Sequence, residues 1–82
     1  MEKTDKTINL PSQLGKLIRH YRLKLKLSQE TLAEKADIHR TYVSDIELGK
    51  VEISVTVASR IAKALNVSFS RLVKEAEEPK TL

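Results

Sequence analysis

The chain contains no cysteine, so neither disulfide staples nor thiolate metal sites are open to it. His20 and His39 are its only histidines, too few for a metal centre, so no metal is expected. Aromatic side chains are limited to Tyr21, Tyr42 and Phe69, which argues against the stacking platforms that single-stranded nucleic acid requires. There is no Gly-rich phosphate loop and no nucleophile set beside a base, so an enzyme is the weakest function class. No cofactor or small-molecule ligand is implied. No apolar run approaches the roughly 18 residues of a membrane span, and membrane partners are not expected. The start, MEKTDKTINL, lacks the apolar stretch of a secretory signal. A reduced, cytoplasmic setting fits these absences.

What is present is short and basic. Eighty-two residues suit one domain, whose small core implies modest stability or support from a partner subunit. The net charge of +4 is unevenly placed. Residues 1–27 carry Lys3, Lys6, Lys16, Arg19, Arg22, Lys24 and Lys26 against only Glu2 and Asp5. From residue 28 onward, eight basic side chains face nine acidic ones. The basic surface therefore belongs to the first helix and its exit. Polyanion binding is its functional reading, and a solvated helix face is the plainer one.

Periodicity predicts five helices and an all-α, compact fold. Residues 1–11 are polar and aperiodic, a flexible N-terminal tail ending at Pro11. Ser12 is placed to cap a first helix near 13–25, whose apolar positions Leu14, Leu17, Ile18, Tyr21 and Leu25 step by three and four. Gly15 looks like a weak point in it. Helices near 29–36 and 39–48 follow, with Gly49 suited to the left-handed position past a helix end. Ser54 or Thr56 can cap a fourth helix, and Ser68 a fifth that Pro79 would stop. The β-branched stretch VEISVTV alternates like a strand, but a lone strand has nothing to pair with, so a loop and helix start are preferred. This divides the chain into a tail (1–11), a single five-helix domain (12–76) and a C-terminal tail (77–82). The expected core is Leu14, Ile18, Leu32, Ala33, Ile38, Val43, Ile46, Ile61, Leu65 and Phe69.

Residues 28–49, SQETLAEKADIHRTYVSDIELG, read as two short helices joined by a tight turn. Ser28 can cap the first, and Leu32, Ala33 and Ala36 form its inner face. Ile38, Val43 and Ile46 anchor the second. That leaves His39, Arg40, Thr41, Ser44 and Asp45 for an outer face, the arrangement of a helix-turn-helix whose second helix enters a DNA major groove.

Four motifs support a family resemblance: Ile18-Arg19-x-x-Arg22, Leu27-Ser28-Gln29-Glu30-x-Leu32-Ala33, Val43-Ser44-x-Ile46-Glu47-x-Gly49, and Ala64-Leu65-Asn66-Val67-Ser68. Together they resemble the lambda-repressor-like helix-turn-helix family, the Cro and Xre class, over about residues 14–74. The chain looks most like the small controller proteins of restriction–modification systems. The family often has glycine in the turn where this chain has Asp37, so positive φ is expected at Asp37. The resemblance also implies a phosphate contact for Gln29, and a structural salt bridge between Arg22 and Glu47.

Chemistry assigns the remaining candidates. Arg40 can donate two bonds to guanine, with a phosphate contact or plain exposure as the alternatives. Thr41 and Ser44 offer hydroxyls to bases or phosphates. Asp45 either accepts from cytosine, orients Arg40 or sits at the interface edge. His39 caps its helix or touches a phosphate. Tyr42 chooses between packing and a phosphate, and the phosphate is preferred. Lys24, Lys26, Lys50, Ser54 and Thr56 are further backbone clamps. Dimerisation would pair two half-sites, with Val67, Leu72 and Val73 as the expected interface. The leading function is thus a homodimeric, sequence-specific regulator on double-stranded DNA. The competitor is an antitoxin-type module that holds a partner protein and regulates its own gene.

Overall fold

The computed structural model describes residues 10–78, which form five α-helices and no strand. These are α1 (Leu10–Lys24), α2 (Gln29–Ala36), α3 (Arg40–Glu47), α4 (Val55–Ala64) and α5 (Phe69–Glu77). The stretch after Gly49 is the expected loop and helix start. Residues 1–9 and 79–82, with most of both expected tails and the stop at Pro79, lie outside the described residues.

Three helices begin in the same way. Ser28, Ser54 and Ser68 each hold extended backbone and accept a hydrogen bond from the N–H three residues on, at 2.9, 3.1 and 3.1 Å. Each serine thereby satisfies a donor that the helix ladder cannot. Of the two candidates before α4, Ser54 is the cap, and Thr56 sits inside the helix. The start of α1 differs from expectation. It begins at Leu10, so Pro11 occupies the first turn and Ser12 lies within the helix. Proline fits there because its missing N–H has no partner in a first turn.

Four helices end alike. Lys26, Asp37, Gly49 and Asn66 adopt left-handed backbone, with φ of 60°, 60°, 72° and 62°. At each, the residue's own N–H and the next one's reach back to carbonyls of the last turn, for example Asp37 to Glu34 at 3.2 Å and Ile38 to Ala33 at 2.9 Å. Paired bonds of this kind close a helix and turn the chain sharply. They also account for the half-burial of Leu27, Ile38 and Val67, which follow the left-handed residue and fold back onto the core. Leu25, by contrast, falls beyond α1 in this turn and is 41% exposed, so it leaves the apolar face assigned to it.

The core is centred on Leu17, Ile18, Leu32, Val43, Ile61, Leu65 and Leu72. Small residues Ala33, Ala36, Ala62 and Ala76 let the helices approach. Ile38 and Phe69, expected in the core, are only half-buried at its margin. Helix α1 packs on α3 and α5, and α2 packs on α3 and α4. Helix α3 is consequently gripped from behind by two elements. A side chain at Gly15 would collide with the backbone carbonyl of Ile46, so glycine here permits the close approach of α1 to the end of α3.

Candidate nucleic-acid interface

The eight residues of α3 divide cleanly by helical period. Val43, Ile46 and Glu47 are buried. Arg40 and Thr41 are exposed, and Ser44 and Asp45 are partly so. Steps of three and four place Arg40, Thr41 and Ser44 on one outward face. Leu48 continues that face past the helix end and is 65% exposed, a feature the sequence reading missed. Its signal was an apolar side chain four residues beyond Ser44.

The helix start points the same way. His39 occupies the N-cap with extended backbone, but its side chain makes no capping bond, which removes the capping option. Its carbonyl accepts from Tyr42 and Val43 at 3.0 and 3.2 Å. The first N–H groups of α3 thus lack the serine that serves α2, α4 and α5, at the end whose dipole favours anions.

Other candidates fall into three groups. Lys24 and Lys26 are exposed at the exit of α1, just ahead of the α2 N-terminus. Lys50, Ser54 and Thr56 are exposed beyond α3, although the Ser54 hydroxyl oxygen is engaged as the cap of α4. Tyr42 is half-buried against the core, and no hydrogen bond to its hydroxyl is found among the described residues. Asp45 forms no ion pair with Arg40 among the described residues, since five positions along a helix turn the two side chains apart.

Behind the exposed face lies a buried polar cluster. Arg22 Nε donates to Glu47 Oε2 at 2.6 Å, and its Nη2 to Oε1 at 3.0 Å. The side chains are only 9% and 3% exposed. Arg22 Nη1 also donates to the Leu27 carbonyl at 2.8 Å. The fork therefore ties the end of α3 to α1 and to the turn entering α2. Gln29 joins it, donating from Nε2 to Glu47 Oε1 at 3.1 Å. Its amide is turned inward, with one of its two N–H groups committed to protein.

A second polar link lies away from this face. Tyr21 donates from its hydroxyl to Glu75 Oε1 at 2.6 Å, and Arg71 Nε donates to Oε2 at 2.9 Å. The Tyr21 bond, followed by that of Arg71, holds the Glu75 carboxyl below its ordinary range. The same bond raises Tyr21, because ionising the phenol would remove the donor and set two anions together.

The expected dimer interface needs correction. Leu72 is fully buried within the domain and has no surface to offer a second chain. Val67 is half-buried as part of the α4 closure. Val73 instead lines an apolar cleft of about 280 Å³ with Leu10, Ile53, Val55 and Phe69, and Val55 is 67% exposed.

A small all-α domain with one helix held out by two others, its outward side polar and its start open to anions, is the architecture of a helix-turn-helix DNA-binding protein. The family comparison agrees: residues 18–72 match the Helix-turn-helix model HTH_3, and the chain belongs to that family of DNA-binding transcriptional regulators. It is 45% identical over 62 residues to the control protein C.BamHI of Bacillus amyloliquefaciens, covering 74% of this chain and 76% of that one. It is 35% identical over 74 residues to control protein C.MunI of a Mycoplasma species, covering 90% and 96%. Among solved structures, the restriction-modification controller protein C.AhdI from Aeromonas hydrophila superposes with a TM-score of 0.73 at 32% identity, covering 76% of this chain and 94% of that one. The controller protein C.Esp1396I gives 0.75 at 32% identity, covering 89% and 96%. No helix among the described residues is long and apolar enough to cross a membrane.

Proposed function

We propose that this protein is a restriction–modification controller: a homodimer that binds a palindromic operator with α3 of each subunit in the major groove. The observation that carries the reading is the split of α3, with its buried side braced to α1 and α2 and its outward side formed by Arg40, Thr41 and Ser44. Arg40 reads guanine, and Thr41 and Ser44 contact neighbouring bases or phosphates. Asp45 takes the edge of the interface. Lys24, Lys26, Lys50, His39, Tyr42 and Thr56 serve the phosphate backbone, which fixes register. Ser54, committed through its oxygen to the cap, retains a hydroxyl hydrogen for a phosphate.

The dimer reading rests on the apolar cleft beside Val55 and Val73. A single domain of this size spans few base pairs, and a two-fold pair would double the reading. The test is selection of bound duplexes from a random pool, followed by binding of the selected operator and a random duplex. A two-fold symmetric motif is expected. Arg40→Ala should then lose roughly 10-fold or more on the operator, within the about 1–3 kcal/mol of a bidentate base contact, while retaining most of its random-DNA affinity. An asymmetric motif would refute the dimer, and equal losses on both DNAs would refute base reading by Arg40.

A further inference from the structure

Among the described residues, the exposed large apolar side chains are Leu10, Leu23, Leu25, Leu48 and Val55. Leu10 and Val55 line the apolar cleft, and Leu23 and Leu25 lie at the end of α1 and in the turn after it. Leu48 is placed differently. It closes α3, and it neither joins the core nor lines the cleft. A lone exposed leucine is ordinary on a protein surface. What sets this one apart is its position, one turn beyond Ser44 on the side that carries Arg40 and Thr41.

That position is fixed by the backbone. The Leu48 N–H donates to the Ser44 carbonyl at 3.0 Å, and those of Gly49 and Lys50 return to Ile46 and Asp45 at 3.0 Å each. With φ of −85° and ψ of −3°, Leu48 extends the helix instead of opening a loop. Its neighbour Glu47 is held from behind by Arg22. Four residues carry Leu48 about 6 Å along the axis from Ser44, roughly two base-pair steps.

The chemistry of the groove selects the contact. Base edges there present donors, acceptors and one apolar group, the C5-methyl of thymine. Leucine has neither a hydrogen to donate nor a lone pair to offer. Against guanine O6 or cytosine N4 it would strip water from a polar atom and return nothing. Against a thymine methyl, both surfaces leave water together.

We propose that Leu48 is a specificity-determining residue that reads a thymine C5-methyl group by apolar contact, roughly two base-pair steps beyond the position met by Ser44. The inference rests on the DNA-binding reading above. It gives the C-terminal end of α3 a share in base recognition, which the N-terminal residues of such a helix ordinarily carry.

The test uses the full chain and the selected operator, with each thymine replaced in turn by deoxyuridine in both half-sites. Uracil keeps every hydrogen-bonding group of thymine and lacks only the methyl. Leu48→Ala and Leu48→Met are compared with the unmodified protein. One thymine is expected at which the unmodified protein loses about fourfold per half-site, the worth of one buried methyl group. Leu48→Ala should lose at least as much on the thymine operator and be indifferent to uracil at that position. Leu48→Met, still apolar, should keep the sensitivity. Each uracil comparison is made within one protein, so a change in folding stability cancels from it. If every sensitive thymine keeps its loss in Leu48→Ala, another side chain such as Thr41 reads the methyl and the proposal is overturned. The absence of any sensitive thymine overturns it, as do equal losses by Leu48→Ala on the operator and a random duplex. An unmodified protein without operator preference would refute the regulator reading itself. A clear preference whose thymine methyls are read without Leu48 would refute the proposal alone.

Discussion

Replacing Glu47 with alanine removes three hydrogen bonds at once: two from Arg22, at 2.6 and 3.0 Å, and one from Gln29 at 3.1 Å. The guanidinium left behind is 9% exposed and keeps one protein acceptor, the Leu27 carbonyl at 2.8 Å. A buried charge stripped of its partner typically costs about 3–5 kcal/mol. In a domain of this size, each kcal/mol shifts the melting temperature by roughly 4–8 °C, so a fall beyond about 12 °C is expected. Urea denaturation followed by far-ultraviolet circular dichroism would give the free energy, and a thermal scan the midpoint. A loss below about 1 kcal/mol, the worth of an exposed ion pair, would refute the reasoning. The double variant Arg22→Met with Glu47→Leu sharpens it. Removing both leaves no unpaired charge, only the Leu27 carbonyl and the Gln29 amide without their former partners, and much of the lost stability should return.

Further outcomes follow from the same geometry. Gly15→Ala puts a methyl group into the Ile46 carbonyl and should destabilise by about 1–3 kcal/mol, where an open helical site would gain from alanine; urea titration distinguishes the signs. Lys26→Gly relieves a left-handed lysine and should raise stability by about 1 kcal/mol while weakening DNA binding and flattening its salt dependence, as a salt titration would show. The Tyr21–Glu75 link makes stability depend on pH at both ends. Glu75 lies below its ordinary 4.5, so its contribution is present above that value and is lost as pH falls through the depressed one. Tyr21 lies above 10.0, so its contribution is present below that value and disappears as pH rises through the elevated one. Tyr21→Phe should flatten both limbs of a stability-against-pH curve.

Local chemistry made much of the fold legible. Ser28, Ser54 and Ser68 announce helix starts because a serine oxygen can take an orphan N–H, and Asp37 and Gly49 mark ends because they tolerate positive φ. Lys26 and Asn66 close helices in the same way, but lysine gives no such signal in a sequence. The beginning of α1 was misjudged since Pro11 is as acceptable inside a first turn as before it. Leu72 shows one limit of periodicity, since apolar spacing says that a face exists and not whether the domain itself or a second chain covers it; Leu25 shows another, since the spacing runs on past the residue where α1 ends. Gln29 shows the limit at the site. Its place at a helix start suggests an outward ligand, and only the tertiary approach of Glu47, 18 positions away, turns it inward.

The left-handed closures also restrict how such a domain can change in length. The turn from α2 into α3 is used up by two backbone bonds, from Asp37 and Ile38, and by the anchoring of Ile38 on the core. One added residue there would have to break the closure or advance α3 by about 100° about its axis. The second outcome would carry Arg40 and Ser44 off the outward side and bring Val43 toward solvent. Between these two helices an insertion is therefore a rotation of the reading head, and new sequence preferences must arise by exchanging side chains on a frame of fixed length.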